Sequence, residues 1–161
     1  MGATSKSCKA CGGEASVTRL DSFRGEEGPV AVTVNGMPVL ACPNGHRRFL
    51  YAEFVAKLLD LAADPEKTAP QPPAVKRGLF KKHYHCSACD AELLAEPTGT
   101  MERELVASFR NADEFKVVVQ FPLHKCPGCG REQVLSNDAL SENAMKALTH
   151  GFRAADVHVD R

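Results

Sequence analysis

At 161 residues, 43% of them apolar, the chain is sized for one domain or two small ones. Lys and Arg together number 20 and so do Asp and Glu, which excludes a surface that is basic throughout and grips nucleic acid non-specifically. Seven cysteines is an odd count, Met1–Lys6 has no apolar stretch, and no apolar run is long enough to span a bilayer, so the chain reads as reduced, cytoplasmic and without a membrane partner. A myristoylation signal fails as well, because Lys6 stands where Ser or Thr belongs.

Taken in order, Cys8-Lys9-Ala10-Cys11-Gly12-Gly13 is a tight two-cysteine loop, the kind that aims both sulfurs at one point. A short alternating segment around Val17–Leu20 follows, then a turn-rich Gly25-Glu26-Glu27-Gly28-Pro29. Val30–Val34 alternates and is β-branched, which predicts a strand. Asn35-Gly36 predicts a hairpin turn, with Met37–Ala41 returning into Cys42-Pro43-Asn44-Gly45-His46. Leu50, Tyr51, Phe54, Val55, Leu58, Leu59 and Ala62 then fall on one helical face, ended by Asp64-Pro65. That face is expected to pack on its own hairpin, the larger alternative being the other half of the chain.

Residues 64–75 hold four prolines and predict an extended linker, turning basic and aromatic over Lys76–His85. Cys86 and Cys89 open the second half. A candidate strand over 101–109 turns through Asn111–Asp113, and Phe115–Phe121 is the clearest strand of all. Cys126-Pro127-Gly128-Cys129-Gly130 is the second knuckle, with Pro and Gly supplying the turn's dihedrals. A helix is expected from Asn137 or Asp138 to His150, capped by Ser136 or Asn137 and by Gly151. The tail from Ala154 has weak strand character.

The spacing reads as a duplication of one half by the other. Cys8 and Cys86 lie 78 residues apart and Cys42 and Cys126 lie 84 apart, so the second hairpin is six residues longer. A proline precedes each knuckle by four residues (Pro38, Pro122), both knuckles read Cys-Pro, and a helix follows each. Units this small need metal for much of their folding energy.

Cys86, Cys89, Cys126 and Cys129 form a tetrahedral four-cysteine set for one structural Zn²⁺. In the first half Gly45 occupies the fourth cysteine's position, and His46, one residue on, completes a set of three cysteines and one histidine with Cys8, Cys11 and Cys42. Ligation interleaved between halves is disfavoured by the helix and linker that separate them. With seven thiolates and two Zn²⁺ counted, net charge falls from zero to −3. Arg47, Arg48, Lys76, Arg77, Lys81 and Lys82 are candidate phosphate contacts, with Phe80 or Tyr84 for stacking; a solvated linker is the plainer account of 76–85. The sequence contains no phosphate loop, no Ser/His/Asp set and no metalloprotease motif, so no catalytic residue and no small-molecule substrate is assigned.

Cys-x2-Cys, a long hairpin and Cys-Pro-x-Cys-Gly resemble a zinc ribbon, and the second copy, over 86–150, is similar to the YgiT-type zinc finger of bacterial antitoxins. The first copy, over 8–63, departs from it at His46. Those antitoxins bind DNA through a separate helix-turn-helix, for which this sequence has no counterpart. The resemblance implies a metal-stabilised α+β chain of two tandem zinc ribbons: residues 1–63 as ribbon and helix, 64–82 as linker, 83–161 as ribbon, helix and tail. The expected function is recognition of a protein partner rather than catalysis. Nucleic-acid or transcription-associated binding is one rival, and a zinc-thiolate redox sensor is another.

Acid should empty the two sites in order. The histidine-containing set carries one negative charge fewer, and its imidazole must be neutral to ligate. Titration with a zinc-sensitive dye should show two steps as pH falls, the first removed by His46→Ala; simultaneous release would contradict this.

Overall fold

The structure, a computed structural model, describes residues 6–81, 83–109 and 112–159. Strands dominate: β1 (Lys6–Ser7), β2 (Glu14–Arg19), β3 (Ser22–Glu27), β4 (Val30–Asn35), β5 (Pro38–Ala41) and β6 (Arg47–Phe49) precede helix α1 (Glu53–Ala62). A single turn, α2 (Pro65–Thr68), leads to β7 (Val75–Arg77) and β8 (His83–His85). The long strands β9 (Gly99–Ala107) and β10 (Phe115–Lys125), short β11 (Glu132–Gln133), helix α3 (Asn137–Ala154) and β12 (Val157–His158) complete a small α+β fold.

Each half is built on one long antiparallel hairpin. In the first, Glu27 pairs with Val30 and Arg19 with Pro38, so β2–β3 and β4–β5 are two arms of a single ribbon turning at Gly28-Pro29. The hairpin turn expected at Asn35-Gly36 is instead a corner. There the ribbon passes from one sheet to another, held by Leu20 N–H to Met37 O and Gly36 N–H to Leu20 O, both 3.0 Å. Gly36 (φ +77°) supplies the left-handed residue the bend needs. The segment read as turn-rich, Gly25–Glu27, is strand up to Glu27. In the second half β9 and β10 pair from Phe115–Ala107 to Leu123–Gly99. Of the turn predicted between them, Asn111 lies outside the described residues.

The two ribbons are joined edge to edge. β4 pairs antiparallel with β10, setting Val34 opposite Val117 and Val32 opposite Val119, to give the sheet β9-β10-β4-β3 with β11 against the end of β10. The helices then cross over. α3, from the second half, packs on β3 and β4 of the first, while α1 packs against β9, β10 and α3. Phe54 of α1 meets Phe109 edge-on and stacks with Phe115, so the face expected on its own hairpin is buried against the other half. The strand after α3 follows suit: β12 pairs parallel with β6. Ala74, downstream of α1, donates its N–H to Val134 O at 2.9 Å, past the second knuckle. One apolar core, with Phe23, Val32, Phe54, Val117 and Leu148, spans both halves.

Three further expectations change. Residues 64–75 are not an extended tether. Asp64 caps α2 through Glu66 N–H, Thr68 and Ala69 are buried, Arg103 donates to Thr68 O, and Gln71 and Asn137 exchange side-chain amide hydrogen bonds at 2.9 and 3.2 Å. The basic stretch beyond it is not coil either, since β7 and β8 form a separate two-stranded ribbon. Helix α3 begins at the Ser136 cap but runs past Gly151 to Ala154.

Gly151 is a crossing point rather than a cap. A Cβ on Gly25 of β3 would lie 1.8 Å from Ala147 O and 2.4 Å from Gly151 N. Helix and strand backbones touch there because neither glycine has a side chain. Gly25→Ala should therefore destabilise the fold by at least about 3 kcal/mol, the upper end of ordinary overpacking, because backbone and not a movable side chain is in the way. Thermal unfolding measures it; a loss below about 1 kcal/mol would mean that the helix simply shifts.

Candidate metal centres

Each long ribbon carries a cysteine loop at the end remote from its hairpin turn. In the first, Gly12 N–H bonds to Cys8 O at 2.7 Å and Cys8 N–H to Gly13 O at 2.7 Å, closing the loop from which Cys8 and Cys11 project. Cys42 N–H to His46 O and Gly45 N–H to Cys42 O, both 3.0 Å, close the facing loop, with Gly45 at φ +84°. The second half repeats this with Cys86 N–H to Ala91 O and Cys126 N–H to Arg131 O, each 2.8 Å.

The donor atoms of Cys8, Cys11, Cys42 and His46 all lie within 4.8 Å of one another, and so do those of Cys86, Cys89, Cys126 and Cys129. The groups are drawn within halves and are not interleaved. In the second, Cys86 Sγ is 3.6 Å from Cys129 Sγ and Cys89 Sγ is 3.4 Å from Cys126 Sγ. In the first, Cys11 Sγ and Cys42 Sγ are 3.8 Å apart, and His46 Nδ1 is 3.4 Å from Cys42 Sγ and 3.6 Å from Cys8 Sγ. These separations are too long for disulfides, and all seven cysteines are free. They match the edges of a tetrahedron around Zn²⁺, about 3.8 Å between sulfurs and about 3.6 Å between sulfur and nitrogen for ordinary Zn–S and Zn–N bonds. Both groups can therefore hold a metal ion, and thiolate with imidazole in this geometry is a donor set for zinc.

Backbone and side-chain donors surround the sulfurs. Ala88 N–H points at Cys86 Sγ (3.4 Å), and Gly128 and Cys129 N–H at Cys126 Sγ (3.3 and 3.5 Å). The Cys129 amide foremost, with that of Gly128, holds Cys126 below the ordinary thiol range. Two side chains that sequence patterning does not single out contribute as much. Asn44 Nδ2 donates to Cys11 Sγ at 3.3 Å and is the main reason that thiol is held down to about 6. Gln133, fully buried, donates from Nε2 to Cys86 Sγ at 3.3 Å, the leading cause of a pKa of about 6 there, while its Oε1 accepts from Ser87 N–H at 3.1 Å. Burial acts the other way at Cys42 and pushes that thiol up. A lone buried Gln four residues after Cys129 carries no periodic signal; only the polar residue inside Cys-Pro-Asn-Gly-His hinted at Asn44.

The candidate phosphate contacts scatter. Arg47 and Arg48 lie half-buried on β6, and Arg47 Nη1 donates to Ala155 O at 2.8 Å. Lys76 sits over the Tyr84 ring at 5.9 Å and Arg77 pairs with Asp90 at 2.9 Å. Lys81 is exposed, and Lys82 lies outside the described residues. Among the described residues no helix is long and apolar enough to cross a membrane.

No protein-family model, no curated protein and no solved structure matches this chain.

Gln133→Leu keeps the volume but removes both the donor to Cys86 and the acceptor for Ser87. Groups that orient metal ligands this way are worth about 10–100-fold in affinity. Chelator competition should show one of two bound ions, the one lost on Cys89→Ser, held at least about tenfold more weakly, with the other unchanged. Equal weakening of both would assign Gln133 to the fold rather than to the second centre.

Proposed function

We propose that this is a tandem zinc-ribbon protein whose two Zn²⁺ ions are structural and whose function is recognition of a protein partner. The observation that carries the reading is the completeness of the donor sets. Each group supplies four protein ligands, which leaves no coordination position for water or substrate. Zinc then serves to hold the ends of the ribbons, where the apolar core gives out. Beside the centres lie only small clusters, Cys8, Ala15, Leu40 and Cys42 at one and Cys86, Leu93 and Cys126 at the other. The second centre, with its long hairpin and trailing helix, is the part that resembles the YgiT-type finger.

What remains for function is surface. Of the six cations that suggested nucleic acid, Arg47 and Arg77 are engaged by the protein itself and Lys76 lies on a tyrosine ring. This favours protein recognition over a phosphate-binding role. Affinity purification from the native cell, with and without nuclease, tests the choice. Protein partners retained after nuclease and over a moderate salt series support the reading. Partners lost with nucleic acid, with a steep fall of affinity in salt, would assign the surface to phosphate instead.

A further inference from the structure

An apolar cavity of about 280 Å³ opens where the two halves meet. Val30 of β4, Phe121 of β10, Val134 and Leu135 after β11, and Leu140 of α3 line it. Pro29, Ala95, Pro97 and Ala139 line it too and are exposed, so the cavity reaches the surface and a ligand can enter. No Asp, Glu, Lys or Arg stands in its wall. A charged ligand would lose its hydration there with no counter-charge in return, which selects an uncharged one. Roughly 150 Å³ of apolar space holds a benzene ring, so this cavity has room for a bicyclic ring of about ten non-hydrogen atoms.

One polar group is built into the wall. Tyr84, Ser136 and Asn143 of the lining are half-buried, but His124 is only 4% exposed. Its Nδ1 donates to Leu94 O at 3.1 Å, which fixes the ring, and Nε2 has no hydrogen-bond partner among the described residues. Among those residues no side-chain nitrogen or oxygen sealed from solvent lacks a partner. Nε2 is therefore not sealed, and the space it opens on is the cavity that His124 lines. A carbonyl oxygen only accepts, so Nδ1 carries the hydrogen and Nε2 of the uncharged ring presents a lone pair. The fold itself does not demand a histidine here, since Leu40 fills the matching position of the first half.

We propose that the cavity is a binding site for a small, uncharged bicyclic aromatic molecule whose N–H or O–H hydrogen-bonds to His124 Nε2. Volume sets the size of this ligand, the apolar wall its character, and the one buried acceptor its polar group. The inference goes beyond the recognition reading and stands without it, since it needs no partner protein.

Indole and indene, which has the same frame without the N–H, are the probes, titrated into the full zinc-loaded chain by calorimetry and NMR. Indole should saturate at one molecule per chain, with amide shifts centred on Phe121, His124 and Leu140. Indene should bind at least about fivefold more weakly, the loss of one hydrogen bond to a buried acceptor. The His124 Nε2 nitrogen signal should move with indole and not with indene. His124→Leu should abolish the preference while indene still binds, which shows that cavity and fold persist; metal content and melting temperature check the same point. Absence of saturable binding by either probe, equal affinity for the two in the unaltered chain, or a preference that survives His124→Leu would each overturn the proposal. N-acetyl-tryptophanamide is larger than the cavity and should bind more weakly than indole; tighter binding would assign the site to a tryptophan of a partner protein instead.

Discussion

The pairing of β4 with β10 is the constraint on which the rest of the molecule depends. Val32 and Val34 of one ribbon meet Val119 and Val117 of the other in a continuous ladder, all four buried. Once these strands are paired, the two hairpins form one sheet with one apolar face, and both helices must lie on it. Neither half could bury its helix alone, because a knuckle and a bare hairpin offer too little surface. Each helix therefore crosses to the ribbon of the other half, and the chain beyond it joins the strand after the other knuckle, at β12–β6 and at Ala74–Val134. The two halves thus exchange their helices within one chain.

This division explains where metal is needed. The middle of the sheet is stabilised by apolar burial, with Phe54, Phe121, Leu58 and Leu148 among its fully buried side chains. The two knuckle ends lie beyond that core, and two cysteines at each centre are buried while the remaining thiols reach the surface. There the apolar contacts are few, and a tetrahedral ion held by the four donors of each group would supply the cross-link that packing cannot. The buried amide of Gln133 fits the same logic: in a nearly dry position it has a thiolate to donate to and the Ser87 amide to accept from, so no polar group is stranded.

The two groups of donor atoms were legible in the sequence because ligand spacing is local. Cys-x2-Cys and Cys-x3-His close within one turn, whatever the rest of the chain does. Phe115–Phe121 was legible because alternation over a whole strand survives any choice of partner. The partners themselves were not. Asn35-Gly36 has the composition of a hairpin turn, but a corner between two sheets needs the same left-handed residue, and only pairing with Leu20 decides between them. Gly25 and Gly151 read as loop and cap, the usual meanings of glycine, whereas their role is to let a strand and a distant helix touch. The prolines of 65–73 suggested a tether; Pro65 instead opens α2, and buried Thr68 and Ala69 anchor the segment.

The two halves also differ in what they pack beside their donor groups. Before the second knuckle residue the halves align at an offset of 84, which sets Leu40 against His124. Leu40 is packed into the apolar cluster beside the first centre. His124 is buried too, but its Nδ1 donates to Leu94 O at 3.1 Å, and the residue lines the cavity next to the second centre. Beyond the knuckles the apolar faces of the helices align at an offset of 86, Phe54 with Leu140, Leu58 with Ala144 and Ala62 with Leu148. The larger aromatic sits in the first helix, where it closes the core against Phe109 and Phe115. Leu140, which stands in α3 where the first helix has Phe54, is one of the residues that line the cavity. The second half thus keeps an opening beside its donor group, and Tyr84 of the β7–β8 ribbon stands in its wall.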